Sequence, residues 1–315
     1  MRGASAQAPR RLPLLRTLLV GLSLLSAACG GADGGDDAGP AVGGEPLTIG
    51  AIPDQDPEKL QRLYGSLAAH LSDRLGIDVE YQPVTDYAAT VRLFQAGDLD
   101  LVWFGGLTGV QARLEVEGAR AILQRGIDAE FTSVFIANAA SGLAPVDDVS
   151  GLSQLAGRRF TFGSESSTSG RLMPQFFLQQ AGVGIDDFAG QPGFSGSHDA
   201  TIALVASGTF EAGVVNEQVW EARTQSGEVD PDQVRAVFRT PPYHDYHWVL
   251  HPDAVRRHGD DLVERLVAAF TELDAAGPRG QEILDLFGAD RFVETDDGNY
   301  REIEEIARQL GLVRR

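Results

Sequence analysis

One cysteine, one lysine and two methionines stand in a chain of 315 residues. A single thiol, Cys29, excludes an internal disulfide and any metal site built from several cysteines. The lone lysine, Lys59, among 26 basic side chains reads as genomic codon bias and carries no functional weight. Beyond the N-terminus there is no basic run and no stretch of about 20 apolar residues, so nothing there reads as a membrane span. With 45 acidic residues the net charge is −19, which argues against nucleic acid or an anionic membrane as partner. No G-x-S-x-G elbow and no Walker loop occur. What remains, 43% apolar and 23% charged, is ordinary globular composition.

Residues 1–28 carry Arg2, Arg10, Arg11 and Arg16 and no acid, followed by an apolar run from Thr17 to Ala28. Twelve helical residues span about 18 Å, short of the hydrocarbon core, so the pattern is that of a secretory signal. Leu25-Ser-Ala-Ala-Cys29 resembles a bacterial lipoprotein box, which implies lipidation of Cys29 as the mature N-terminus. Loss of the four arginines leaves 22 basic against 45 acidic residues, a charge of −23. Residues 29–46, mostly Gly, Ala and Asp, read as a flexible tether. The expected location is the periplasm or outer cell surface, with the membrane reached only through the lipid.

From Leu47 the chain alternates short apolar runs with amphipathic stretches. Strands are expected at Leu47–Ile52, Val79–Pro83, Leu99–Phe104, Ala119–Gln124 and Ser133–Asn138. Helices are expected at Glu58–Leu75, Tyr87–Ala96 and Leu107–Glu117. The β-α-β-α-β order implies an α/β fold with mostly parallel sheet. A second unit follows, with strands at Arg159–Gly163, Ala212–Val215 and Val234–Phe238, and the C-terminus is helical. We expect two lobes, the first from 47–138 plus 241–315 and the second from 139–240. The chain would cross between them near Asn138–Gly142 and Phe238–Pro242, leaving a ligand cleft at the strand ends.

Chemistry concentrates in four segments. Phe160 to Gly170 runs from a strand into a loop with five hydroxyls between Ser164 and Ser169, directly before a helix. Capping would need one hydroxyl; five beside a helix N-terminus suggest an anion site, with Ser167, Thr168 and Ser169 as neutral donors. Leu99 to Gly106 ends a strand on Trp103 and Phe104, either as cleft wall or as core. Gly193 to Thr201 sets His198 before another helix, as an anion donor or beside simple serine caps. Pro242 to His251 holds three histidines, but on an extended segment His244 and His247 face opposite ways, and His247 and His251 stand about 13 Å apart. That is too far for one ion, and no metal is expected.

Ala51-Ile-Pro-Asp54, Thr85-Asp-Tyr87, Asp100 to Gly105, Ser167-Thr-Ser-Gly170, Ser195-Gly-Ser-His-Asp199 and Asn216-Glu217 occur in the order found in phosphonate-binding proteins of ABC importers. The resemblance runs from about Leu47 to Leu312. Val102 to Ala112 and Arg239 to Tyr243 are most similar to a branch described as selenate-binding. The resemblance implies a two-lobe type II periplasmic-binding fold that closes on a small tetrahedral oxyanion. It implies that Ser167, Thr168, Ser169 and His198 hold the anion, that Tyr87, Trp103 and Phe104 wall it, and that Asn216 approaches from the second lobe. It further implies a monomer without cofactor, partnered by an ABC permease and ATPase. Phe104 stands where the family often has tyrosine. Asn216 stands where binders of aminoalkyl phosphonates have a carboxylate, which favours an aprotic anion such as selenate or a small phosphonate. A carboxylate of Glu165, Asp199 or Glu217 facing the ligand would weaken the aprotic reading. Two other functions remain compatible with the same fold: a hydrolase or transferase using His198, and the sensing subunit of a signalling receptor.

Overall fold

A computed structural model describes residues 44–313; the signal segment, Cys29 and the tether to residue 43 lie outside the described residues. Two mixed sheets with helices packed around them organise the chain. The first contains β1 (Leu47–Ala51), β2 (Val79–Tyr81), β3 (Leu101–Phe104), β4 (Arg120–Arg125), β10 (His247–Leu250) and β11 (Phe292–Glu294). The second contains β5 (Ser133–Asn138), β6 (Phe160–Phe162), β7 (Gly193–Phe194), β8 (Ala212–Asn216) and β9 (Val234–Arg239). Their orders are β11-β4-β10-β3-β1-β2 and β7-β6-β8-β5-β9.

Parallel pairing holds for β2-β1-β3 and for β7-β6-β8. The other pairs are antiparallel, because β10 returns between β3 and β4 and β5 lies between β8 and β9. Ser133–Asn138, expected in the first lobe, is therefore a central strand of the second sheet. The chain passes between the sheets at 126–132, not at Asn138–Gly142, and returns at 240–246. An isolated antiparallel bridge, Phe131 to Tyr243, ties the two crossings together.

Local chemistry explains the elements nearest the cleft. The Asp56 carboxylate accepts the N–H groups of Glu58 and Lys59, so α1 (Pro57–Leu75) starts there, with Pro57 where its missing N–H costs nothing. Leu60, Leu63, Tyr64, Leu67 and Leu71 form its buried stripe, and Gly76 stops it at φ 67°. Asp86 caps α2 (Tyr87–Ala96), and α3 (Gly106–Glu115) begins directly after β3. Ser167 caps a π-helical turn, Thr168–Leu172, that runs into α4 (Met173–Gln180). Ser197 caps α5 (His198–Ala206), and Asn216 caps α6 (Glu217–Gln225). The C-terminal part adds α7 (Pro252–His258), α8 (Leu262–Thr271), α9 (Gly277–Phe287) and α10 (Arg301–Gln309). Of these α7, like β11, has no counterpart in the sequence reading. Among the described residues no helix is long and apolar enough to cross a membrane.

Candidate functional site

Five helical N-termini, those of α2, α3, the Ser167 turn, α5 and α6, begin at residues that meet between the two sheets. Each brings the partial positive charge of a helix start to the same place, its capped N–H groups held by side chains such as Asp86, Ser167, Ser197 and Asn216. The side chains there are deeply buried: Tyr87, Ser167, Thr168, Ser169, His198 and Asp245 are each at most 3% exposed. Two glycines let the segments approach. A Cβ at Gly105 would stand 3.1 Å from Thr168 Oγ1 and 3.2 Å from Asp245 Oδ1. At Gly170 it would stand 3.2 Å from Gly163 Cα and 3.3 Å from His198 Cε1.

The three hydroxyls of the loop have separate roles. Ser167 Oγ accepts the Gly170 N–H at 2.9 Å and caps the turn. Thr168 Oγ1 accepts the Leu107 N–H at 2.9 Å, joining the second sheet's loop to the start of α3. Ser169 Oγ is buried with no partner, as are Tyr87 Oη and Asp245 Oδ2. The other carboxylate oxygen, Asp245 Oδ1, accepts the Gly106 N–H at 2.9 Å. Burial pushes the Asp245 carboxyl up to about 7, against the pull of the Gly106 N–H. Burial likewise raises Tyr87 well above the usual phenol, so it stays a neutral donor.

His198 Nδ1 accepts the Asn216 N–H at 3.3 Å. That places the ring proton on Nε2, which lies 3.5 Å from Tyr246 Oη. Desolvation lowers this histidine to about 4, so at neutral pH it is an uncharged donor. Tyr246 Oη donates to Asp54 Oδ2 at 2.8 Å, and burial raises the Asp54 carboxyl. The assembled group can offer hydroxyl and imidazole donors to a compact anion, with one carboxylate oxygen left to accept a proton from it.

Ser167, Thr168, Ser169, Tyr87 and His198 are thus brought together. Trp103 and Phe104 part company, since neighbours on a strand point to opposite faces. Trp103 stacks on Tyr246 at 5.7 Å and lines an adjoining cavity of about 100 Å³ with Asp54, Lys59 and Asn216. Phe104 is wholly buried against Phe94, edge to face at 5.6 Å, and serves the core. Asn216 reaches the site's edge, where Oδ1 caps Val219 and Nδ2 gives one of its two hydrogens to Tyr246.

Of the three acids weighed from sequence, Glu165 is exposed, Glu217 pairs with Arg239 and Thr132, and Asp199 pairs with Arg223. The carboxylates that face the site are Asp245 and Asp54, both missed as acids of the cleft. Asp54 ends the Ala51–Asp54 motif just past β1, where open parallel sheets place their ligand groups, and that was the available signal. Asp245 lay inside a segment read for its histidines. His247 instead stacks on Tyr300 at 3.7 Å and His251 caps α7.

Residues 49–300 match the family model described as ABC transporter, phosphonate, periplasmic substrate-binding protein. The probable ABC transporter phosphite binding protein PhnD1 of Prochlorococcus marinus (strain MIT 9301) is 47% identical over 269 residues, 85% of this chain and 91% of that protein. The solved structure of PhnD1 in complex with methylphosphonate superposes with a TM-score of 0.83, covering 85% of this chain and 98% of the other. The phosphate-import protein PhnD of Mycolicibacterium smegmatis is 30% identical over 232 residues, 70% of either chain. These relatives are ligand-binding transport proteins and not enzymes, so the hydrolase alternative built on His198 falls away. With the two-sheet fold and its buried donor cluster, the match establishes that the chain belongs to the periplasmic substrate-binding proteins of phosphonate ABC transporters.

Proposed function

We propose that this protein captures a small tetrahedral phosphorus oxyanion bearing a proton, phosphite or a short phosphonate such as methylphosphonate, and delivers it to an ABC permease and ATPase. The observation that carries the reading is Asp245 Oδ2, buried without a partner beside the Ser169 and Tyr87 hydroxyls. An ionised carboxylate repels an aprotic dianion and accepts a hydrogen bond from a protonated one. The aprotic preference inferred from Asn216 gives way to the protonated class, because Asp245, and not Asn216, has a free oxygen in the site. The ligands named for the similar proteins, phosphite and methylphosphonate, belong to that class.

Within this reading Ser169, Tyr87, Thr168 and His198 donate to the anion oxygens and Ser167 holds their turn. The two sheets are lobes that close on the ligand, hinged at 126–132 and 240–246. The Leu25–Cys29 box and the tether support a lipid anchor, which a Cys29→Ala variant tests by release from the membrane fraction. The direct test of the site is calorimetric titration with methylphosphonate. Thr168→Val removes one donor to a charged ligand together with the acceptor for Leu107, and a loss of about 10- to 100-fold in affinity is expected. Affinity unchanged in this variant would remove the Ser167–Ser169 turn from the account.

A further inference from the structure

The two sheets also meet outside the donor cluster, at the rim formed by Asp199. Its Oδ2 accepts the backbone N–H of Asp56 at 2.9 Å, from the loop between β1 and α1. One residue earlier, the His198 N–H donates to the Asp54 carbonyl at 3.1 Å. The start of α5 therefore grips residues 54–56 of the other sheet's loop by two hydrogen bonds. Arg223 of α6 fixes the carboxylate, with Nε on Oδ1 at 2.9 Å and Nη2 on Oδ2 at 3.0 Å. Glu228 in turn holds Arg223. None of these bonds uses an atom that faces the anion, and Asp199 and Arg223 are only a quarter and a fifth exposed.

We propose that Asp199 is a positioning residue for ligand capture, a latch that holds the first turn of α5, and with it His198, against the opposite lobe. This rests on the reading of the site as an oxyanion receptor that closes between lobes. Because the latch touches the protein backbone and not the ligand, it strengthens the closed arrangement equally for every anion. It sets how long a ligand stays and leaves the choice of ligand to Asp245 and the hydroxyls. Arg223 gives the carboxylate one orientation, so little side-chain freedom is lost when the bond to Asp56 forms.

The test compares the wild-type protein with Asp199→Ala and Asp199→Asn by stopped-flow binding of methylphosphonate and of phosphite, and by small-angle X-ray scattering without added anion. In Asp199→Ala, dissociation should quicken by about five- to tenfold, the same factor for both anions, with association changed less than about twofold. The scattering should shift to a larger radius of gyration. Asp199→Asn keeps an oxygen for the Asp56 N–H and should recover part of the slow dissociation; it also decides the matter if the alanine variant does not fold. Unchanged dissociation and scattering would overturn the latch, as would factors differing by more than about threefold between the two anions. If the wild-type protein binds neither anion, the functional reading fails, and the scattering comparison alone decides the latch.

Discussion

Asp245 is one residue whose proton matters both to the stability of the fold and to the proposed ligand. Burial raises its carboxyl to about 7, so the folded protein holds that proton where an unfolded chain has released it. Between about pH 4 and pH 7 the folded state binds more protons, and this group's contribution to stability falls as pH rises. Three pKa units set an upper bound of about 4 kcal/mol. Buried His198, lowered to about 4, pulls the other way below its ordinary value, so the contribution is read as a difference: without added ligand, the urea midpoint of wild type relative to Asp245→Asn should be higher near pH 5 than near pH 7.5. A slope unchanged in Asp245→Asn would assign the pH dependence to other groups. Residue-level legibility followed the same divide. Ser167 to Ser169 and His198, which the structure gathers between the sheets, were singled out because hydroxyls and histidine before helix starts suggest anion chemistry, whereas Tyr87 came only through the resemblance, as a wall. Asp245 was not singled out, because its place depends on the return crossing at 240–246 folding back onto the start of α3. The part Asn216 plays in holding Tyr246 was hidden for a related reason: which way a cap amide turns depends on a partner 30 positions away.

The helices nearest the site were the most legible elements. In α1 the Asp-Pro start, the leucine stripe and the glycine stop all agree, and the element follows from periodicity alone. Strand membership was harder. Ser133–Asn138 has the same apolar run in either sheet, and only pairing with residues 212–216 and 234–239 decides between them. β11 is three residues long and α7 seven, too short to show a period. Packing of α3 on β10 gives a prediction at this scale. A Cβ at Gly109 would lie 2.3 Å from His247 Nε2, and that ring is pinned by its stack on Tyr300 and by a hydrogen bond to the Asp245 carbonyl at 3.0 Å. Gly109→Ala should therefore destabilise the protein by about 1–3 kcal/mol in urea denaturation, despite the better helix propensity of alanine. A variant as stable as wild type would mean that α3 and β10 can move apart freely.

For the whole molecule, charge and function pull in opposite directions. The chain carries −19, so long-range steering repels an anion, and attraction must arise locally. Helix N-termini and neutral donors supply it in a site shielded from water, where such contacts strengthen. That arrangement leaves selection between anions to the single proton shared with Asp245. The most direct measurement is calorimetric titration of the wild-type protein with methylphosphonate, phosphite, sulfate and selenate at pH 6 and pH 8. The account predicts that methylphosphonate or phosphite binds most tightly at both pH values. It also predicts that the disadvantage of sulfate and selenate grows at pH 8, where Asp245 has lost the proton it could have lent them. Selenate or sulfate binding more tightly than either phosphorus anion at pH 8 would contradict it.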